Sequence, residues 1–337
     1  MLGGLHPMNL VLAGDIGGTK TNLALFRGPV DQLAMEGLKT YASHSATSPL
    51  ELIDRFLDEA GRPALAGAAL GIAGPVVGGT ATATNLPWTV SEEEIATHCA
   101  LPKVILINDL QATACAVPLL PADKFLPLND LPFPGRGTIG LIAAGTGLGE
   151  ALLVRHRGGY IPCASEGGHQ DFAPQNEQEF GLRQHLARQY GHVSLERLVS
   201  GPGLAAIHRF LCKEARQPEP EWLHDRRGAD HGAIIAEAGL DGHEPLCTEA
   251  LTLFASLYGA AAGNLALVGL TTGGICLGGG IAPKITPILT GGAFMRSFLA
   301  KGRLSHLLAQ VPVRIIMDSQ AALWGAAAHF FHAAEFD

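Results

Sequence analysis

The chain has 337 residues, 47% of them hydrophobic and 16% charged, enough apolar material to bury a large core and to divide into two domains. Lys and Arg number 23 against 31 Asp and Glu, a formal net charge of −8, so the balance offers nothing to nucleic acid or to an anionic membrane surface. The 43 glycines follow no collagen-like period, which excludes a fibrous chain and points to tight turns and close backbone approaches.

No Lys or Arg precedes Lys20, so the start lacks the basic n-region of a secretory signal. The six cysteines, Cys99, Cys115, Cys163, Cys212, Cys247 and Cys276, form no CxxC pair and have no histidines at zinc-ligand spacing. They read as core thiols of a reducing compartment, and the cytoplasm is the expected location.

In chain order, NLVLAGDIGGTKTNLALF places two apolar runs around a glycine-threonine turn and predicts a hairpin. SPLELIDRFLDEAG has apolar residues at helical spacing, ALAGAALGIAGPV predicts a strand ending in a turn, and SEEEIATHCA begins like a capped helix. KVILINDLQATA is an apolar strand that stops on Asn108 and Asp109. LPADKFLPLNDLPFPGRG, rich in proline and polar residues, is the candidate boundary between lobes or a connecting excursion.

TIGLIAAGTGLGEALL then repeats the strand, glycine-threonine turn and strand of the N-terminus. Two copies of one unit predict two related lobes, each presenting a glycine turn, with a cleft between them. EQEFGLRQHLARQYG, ERLVSGPGLAAIHRFLC and LCTEALTLFASLYGAAAGNLAL are helical in pattern, so the second lobe should be helix-rich. Residues 250–283 carry no charged side chain and are long enough to cross a bilayer, but their glycines and the run ICLGGG fit a core helix feeding a core strand better. A final helix, AALWGAAAHFFHAA, has small residues suited to close packing. Strands alternating with helices give an α/β fold class.

Glycine turns let backbone N–H groups approach a phosphate, although ordinary hairpins use them too. The first copy opens on Asp15 at a strand end, ahead of Gly17, Gly18 and Thr19, and an acid there can hold Mg²⁺ directly or through water. No Gly-Lys pair exists, which excludes the GxxxxGK[ST] phosphate loop. The one GxGxxG, residues 135–140, precedes a strand instead of following one and is a decoy. In ASEGGHQDF, Glu166 and His169 flank two glycines and suit hydrogen bonding to a polyol better than metal ligation, with a plain surface loop as the alternative. At Asn108 and Asp109, an amide could hold a substrate hydroxyl while the carboxylate accepts its proton during phosphoryl transfer; the competing reading is a helix cap.

Taken in order, GDIGGTK, TNLPW, INDLQA, AAGTGLG, SEGGH, VSLERLVSGPG and LGGGIAP closely resemble the bacterial glucokinase family of the sugar kinase/actin/Hsp70 superfamily, over nearly the whole chain. The resemblance implies a two-lobed actin-like (ribonuclease H-like) ATPase fold. Its smaller α/β lobe would be residues 1–119 plus 318–337 and its larger helix-rich lobe residues 120–317, with ATP and Mg²⁺ between them. It implies transfer of the γ-phosphoryl group to the 6-hydroxyl of glucose by a homodimeric enzyme.

By the same resemblance Asp109 is the catalytic base, and Asn108, Glu166, His169 and Glu196 hold the sugar. Asp15, Gly17, Gly18 and Thr19 form the first phosphate turn, and Gly145, Thr146 and Gly147 the second. Gly279 and Gly280 resemble the adenosine-contacting loop, and Asn85 a site-lining residue. The related repressor/kinase group carries a cysteine-rich zinc motif after its Glu-Gly-His sequence. Here DFAPQNEQEF follows, so the zinc-free branch is expected. That group's repressors also carry an N-terminal DNA-binding helix-turn-helix, for which a first strand near Asn9 leaves no room. A kinase for another hexose or an N-acetylhexosamine, a catalytically idle sugar sensor, and ADP or polyphosphate as donor stay open at this point.

Overall fold

The computed structural model describes residues 10–82, 86–134, 137–156, 159–224 and 230–336. Asn85 lies outside the described residues. The chain divides at Ala122/Asp123 and again at Met317/Asp318, so its last residues belong with its first.

In the first unit, β1 (Leu10–Ile16) and β2 (Lys20–Arg27) pair antiparallel up to Ile16 opposite Thr21, and β3 (Ala34–Ala42) extends the ladder. Helix α1 (Pro49–Glu59) follows, capped by Ser48, whose side chain accepts the Glu51 N–H. β4 (Gly67–Ile72) runs parallel to β1. A small antiparallel sheet of β5 (Val76–Val77), β6 (Thr80–Thr82) and β7 (Thr89–Ser91) leads to α2 (Glu92–His98), with Ser91 as its cap. β8 (Val104–Asn108) lies parallel to β4, giving the order β3-β2-β1-β4-β8, and α3 (Asp109–Ala116) leaves its end.

Both faces of this sheet are covered. Alternation sends Leu12, Leu23 and Leu70 toward Leu52, Ile53 and Phe56 of α1, while Val11, Ala13 and Ala69 face α3 and the C-terminal helix (Ala321–Phe336). The small residues of the two helices, Ala112 against Ala326 and Ala327, permit the close packing that AALWGAAAHFFHAA suggests.

The second unit repeats the plan. β9 (Phe125–Pro127) is an edge strand inside the stretch read from composition as a connection; its prolines suit an edge, where a missing N–H costs no ladder bond. β10 (Ile139–Ala144), β11 (Leu148–His156) and β12 (Gly159–Ser165) form the antiparallel part, and β13 (Gly274–Gly278) and β14 (Val313–Ile316) add parallel strands beyond β10. The order is β12-β11-β10-β13-β14-β9.

Its helices are α4 (Glu177–Tyr190), α5 (Gly201–Glu214), α6 (Glu221–His224), α7 (His231–Asp241), α8 (Pro245–Val268), α9 (Thr286–Thr290), α10 (Ala293–Leu299) and α11 (Ser305–Leu308). The pattern ERLVSGPG splits: residues Leu195–Arg197 make a separate 3₁₀ turn, because Ser200 accepts the Gly203 N–H and starts α5 afresh. Helix α8 is the one described helix long and apolar enough to cross a membrane, yet 67% of its apolar window is buried. Its Tyr258 donates to the Ile142 carbonyl of β10 at 3.0 Å, and it leads into the fully buried β13.

Candidate active site

In the first unit the parallel strands β1, β4 and β8 end at one edge of the sheet, the edge where open α/β sheets collect their ligands. β1 delivers Asp15 one residue before its end. The turn that follows is held by Gly17 N–H donating to the Lys20 carbonyl at 3.0 Å and by Ser43 Oγ donating to the Gly17 carbonyl at 2.7 Å. Thr19 and Lys20 form the exposed part of that turn, and Gly18 is half-buried. Across the hairpin Asn22 Nδ2 donates to Asp15 Oδ2 at 3.3 Å, and Asn22 is itself fixed by Thr40. Burial raises the Asp15 carboxyl above its usual range, and the Asn22 amide opposes that rise.

β8 ends on Asn108, and both readings of this residue meet there. Its Oδ1 caps α3 by accepting the N–H groups of Leu110 at 3.0 Å and Gln111 at 3.3 Å, while Nδ2 donates to the Gly74 carbonyl at 3.1 Å. The second amide hydrogen is not used by these bonds. Asp109 opens the helix and is half-buried; its Oδ1 accepts the Leu110 N–H at 2.8 Å. Burial first and the negative charge of Asp15 second push its carboxyl up to about 6. Asn108, Asp109 and Asp15 are therefore brought together on one edge, as an amide donor beside two mutually repelling carboxyls.

That pair fits a divalent cation. Bringing Mg²⁺ to Asp15 would relieve a carboxylate whose charge is disfavoured by burial. Among the described residues no group of three or more His, Cys, Asp and Glu side chains could hold a metal, so most ligands would be nucleotide oxygens and water.

In the second unit the turn Gly145 to Gly147 joins β10 to β11, with Gly145 N–H donating to the Gly147 carbonyl at 2.8 Å. Gly201, the first residue of α5, donates to the Gly145 carbonyl at 2.8 Å and ties that helix to the turn. Gly145, Thr146, Gly201, Asp230, Gly280 and Lys284 line a cavity of 480 Å³ whose remaining wall is apolar, from Leu204, Ile281 and Ile285 among others. A glycine turn at one end and an aliphatic wall beyond it fit a nucleotide. Gly279 has φ +78°, and a Cβ on it would run into the Ala144 carbonyl, so only glycine lets this loop lie on the end of β10.

The sugar-type residues of this unit sit on two short 3₁₀ turns. Glu166 precedes the turn Gly167–His169, and its carboxylate stands 4.0 Å from His169 Nε2, both side chains exposed. Glu196 lies on the second turn, and its Oε2 accepts the Leu148 N–H at 3.0 Å. A bridge of Asp171 with Ser194 and the Leu195 N–H to Gln170 carbonyl bond at 2.9 Å lace the two turns together. Three residues of these surroundings escape motif reading. Asp230 caps α7 through the Ala233 N–H at 3.1 Å, a signal present in the Asp before HGAIIAEAG. Lys284 directly follows LGGGIAP. Glu150 is hidden because it sits inside a strand pattern.

Similarity to known proteins agrees with this geometry. The glucokinase family model matches residues 12–333. The glucokinase of Nostoc punctiforme is 40% identical to this chain, over 95% of it and 98% of its own length. That of Chromobacterium violaceum is 37% identical over 94% of this chain and 88% of its own length. Among solved structures, glucokinase from an Antarctic psychrotroph superposes with a TM-score of 0.85 at 29% identity, covering 97% of this chain and 99% of that one. A ROK family glucokinase from Streptomyces griseus in complex with glucose and AMPPNP shares the fold at a TM-score of 0.62 and 20% identity, over 94% of this chain and 98% of that one.

Proposed function

The chain belongs to the glucokinase family, with the actin-like α/β fold of its sugar kinases, and from that premise we propose that it transfers the γ-phosphoryl group of ATP to the 6-hydroxyl of glucose. The observation that carries the proposal is Asp109, a carboxyl at the end of β8 whose proton affinity is lifted to about 6 by burial and by Asp15. Such a group is ionised at neutral pH yet basic enough to take a hydroxyl proton as that oxygen attacks phosphorus.

In this reading the Asn108 amide donates to the acceptor sugar beside Asp109, while Glu166, His169 and Glu196 bind ring hydroxyls. Gly18 and Thr19, in the turn that Gly17 closes, offer backbone and hydroxyl donors to phosphate oxygens. Thr146 and Gly147 do the same from the second unit, in the turn that Gly145 closes, with Gly279 and Gly280 against the nucleoside. Asp15 orients Mg²⁺, directly or through water. When bound, that ion neutralises charge developing on the phosphate oxygens. Residues 1–119 with 318–337 act as the small domain, with the base and the first phosphate turn, and 120–317 as the large domain, with the second turn and Glu166, His169 and Glu196. All six cysteines are free thiols, which supports a reducing, cytoplasmic setting, and a homodimer is the assembly that light scattering should find.

The test is a coupled assay of glucose 6-phosphate formation from glucose and Mg-ATP, run beside mannose, fructose and N-acetylglucosamine and beside Asp109→Ala. Turnover with glucose that vanishes in the variant supports reaction and base together. Saturable glucose binding without turnover on any of these sugars would overturn the kinase reading in favour of a sensor.

A further inference from the structure

β11 leaves the second glycine turn and touches both sugar-side turns within three residues. Leu148 donates its N–H to Glu196, and Gly168 rests on the Leu148 carbonyl so closely that a Cβ would overlap it. Two residues on, Glu150 stands opposite Ser165 in the ladder, next to Glu166. Its carboxyl lies against Gly167, where a Cβ would collide with it, and the Gln170 side-chain amide reaches the same face of that glycine, 3.0 Å from the Cβ position.

Glu150 is only 2% exposed, and its carboxyl lies directly against the Gly167 backbone. A carboxylate is costly at a position so buried, whereas the neutral acid packs against the backbone at lower cost. We infer that Glu150 is a positioning residue for sugar binding: its carboxyl is the support on which Gly167 sits, and through Gly167 it fixes the stance of Glu166 and His169. The inference rests on the reading of residues 165–169 as the sugar loop.

Burial alone lifts the Glu150 carboxyl to about 7. The titratable groups beside it are Arg155 and His156 of β11 itself, Tyr160 and Cys163 of β12, Tyr258 of α8, Glu166 and His169 of the loop, and Glu196 of the neighbouring turn; burial is the cause of the rise. Tyr258 is held neutral by burial and donates to the Ile142 carbonyl. Ile142 and Ser165, which flank Glu150 in the ladder, carry no charge. Ionisation above neutrality drives the carboxylate toward water or the Gln170 amide and shifts Gly167. Glucose affinity then falls with rising pH, while turnover of bound glucose is unchanged.

The test is glucose binding by calorimetry from pH 6 to 9 on the full chain and on Glu150→Gln, an uncharged near-isostere, with kcat measured alongside. Wild-type Kd should be flat to about pH 7 and then rise about tenfold per pH unit. Glu150→Gln should hold the low-pH Kd throughout, with a kcat profile that superimposes on the wild type. A wild-type Kd that is constant across this range overturns the role of Glu150, and needs no variant to fold. So does a variant whose Kd rises in parallel with the wild type. A wild type that binds no glucose at any pH overturns the sugar-loop reading itself, and the inference with it.

Discussion

Glu196 and Leu148 are joined by a hydrogen bond of 3.0 Å from the Leu148 N–H to the Glu196 carboxylate, at the first residue of the strand leaving the second glycine turn. A residue assigned to sugar binding thereby also holds the backbone assigned to phosphate, and a Cβ on Gly147 would collide with that carboxylate. Glu196→Ala should accordingly raise KM for glucose and for ATP together. A hydrogen bond to a charged group contributes about 1.5–3 kcal/mol, equivalent to roughly 10- to 150-fold. Glu196→Gln keeps an acceptor for Leu148, so it should restore the ATP KM while leaving the glucose KM high. Steady-state kinetics in both substrates checks the split.

The acid limb of activity should report Asp109. Its carboxyl titrates at about 6, so kcat/KM for glucose should fall about tenfold per pH unit below that value as the base becomes protonated. Because Asp15 is one cause of the rise, Asp15→Asn should move the Asp109 midpoint down, measured as a carboxyl titration by NMR without nucleotide. The same rise has a cost in stability. The folded chain binds this proton more tightly than the unfolded chain, so the stabilisation is full below the ordinary value of 3.8 and is lost as pH rises through about 6. Asp109→Asn keeps an acceptor for the Leu110 N–H and should raise Tm at pH 7 while lowering kcat on the order of 10²- to 10⁴-fold.

Much of the fold was legible because the strand, glycine-threonine turn and strand unit occurs twice, and the register of each hairpin follows from its turn: Ile16 meets Thr21 and Ala144 meets Leu148. The charge-free stretch 250–283 resolved into α8 and β13; the helix runs on through Gly259, Gly263 and Asn264 and stops only at Gly269, ahead of the TTGG run. Tertiary pairing was not legible. β9 exists only because β14 offers it an edge, and nothing local in FLP specifies that partner. Among site residues, Asn108 and Asp109 stood out as polar residues ending an apolar strand. Glu196 did not, since an acid in a short surface turn has no periodic signature, and its contact with Leu148 is 48 residues away in sequence. Glu150 follows a glycine turn at a strand position that alternation cannot distinguish as buried or exposed without the loop that covers it.

Gly279→Ala separates the nucleotide loop from the rest of the site. At φ +78° a side chain is strained, and its Cβ would press on the Ala144 carbonyl at the end of β10. Strain of this kind costs about 1–3 kcal/mol, and the loop must lift to relieve it. ATP KM should therefore rise about 10-fold or more, by the same conversion of free energy to affinity. Glucose Kd, read by calorimetry without nucleotide, should stay within about twofold of the wild type, since the atoms nearest the new Cβ all belong to Ala144 at the end of β10. Equal losses in both affinities would show that the loop supports the whole unit instead of the nucleotide alone.

Asn108 performs two tasks with one amide, and substitution can pull them apart. Its oxygen caps α3, its nitrogen ties the end of β8 to the Gly74 carbonyl at 3.1 Å, and the amide also acts on the Asp109 carboxyl, lowering its proton affinity. Asn108→Ala removes everything and should cost about 1 kcal/mol of stability through the lost cap, with a higher glucose KM. Asn108→Ser restores a capping oxygen but no amide. If the residue serves the sugar, the serine variant should recover Tm and leave the glucose KM as high as in the alanine variant. Recovery of both together would mean that Asn108 acts on glucose only by holding the helix that carries Asp109.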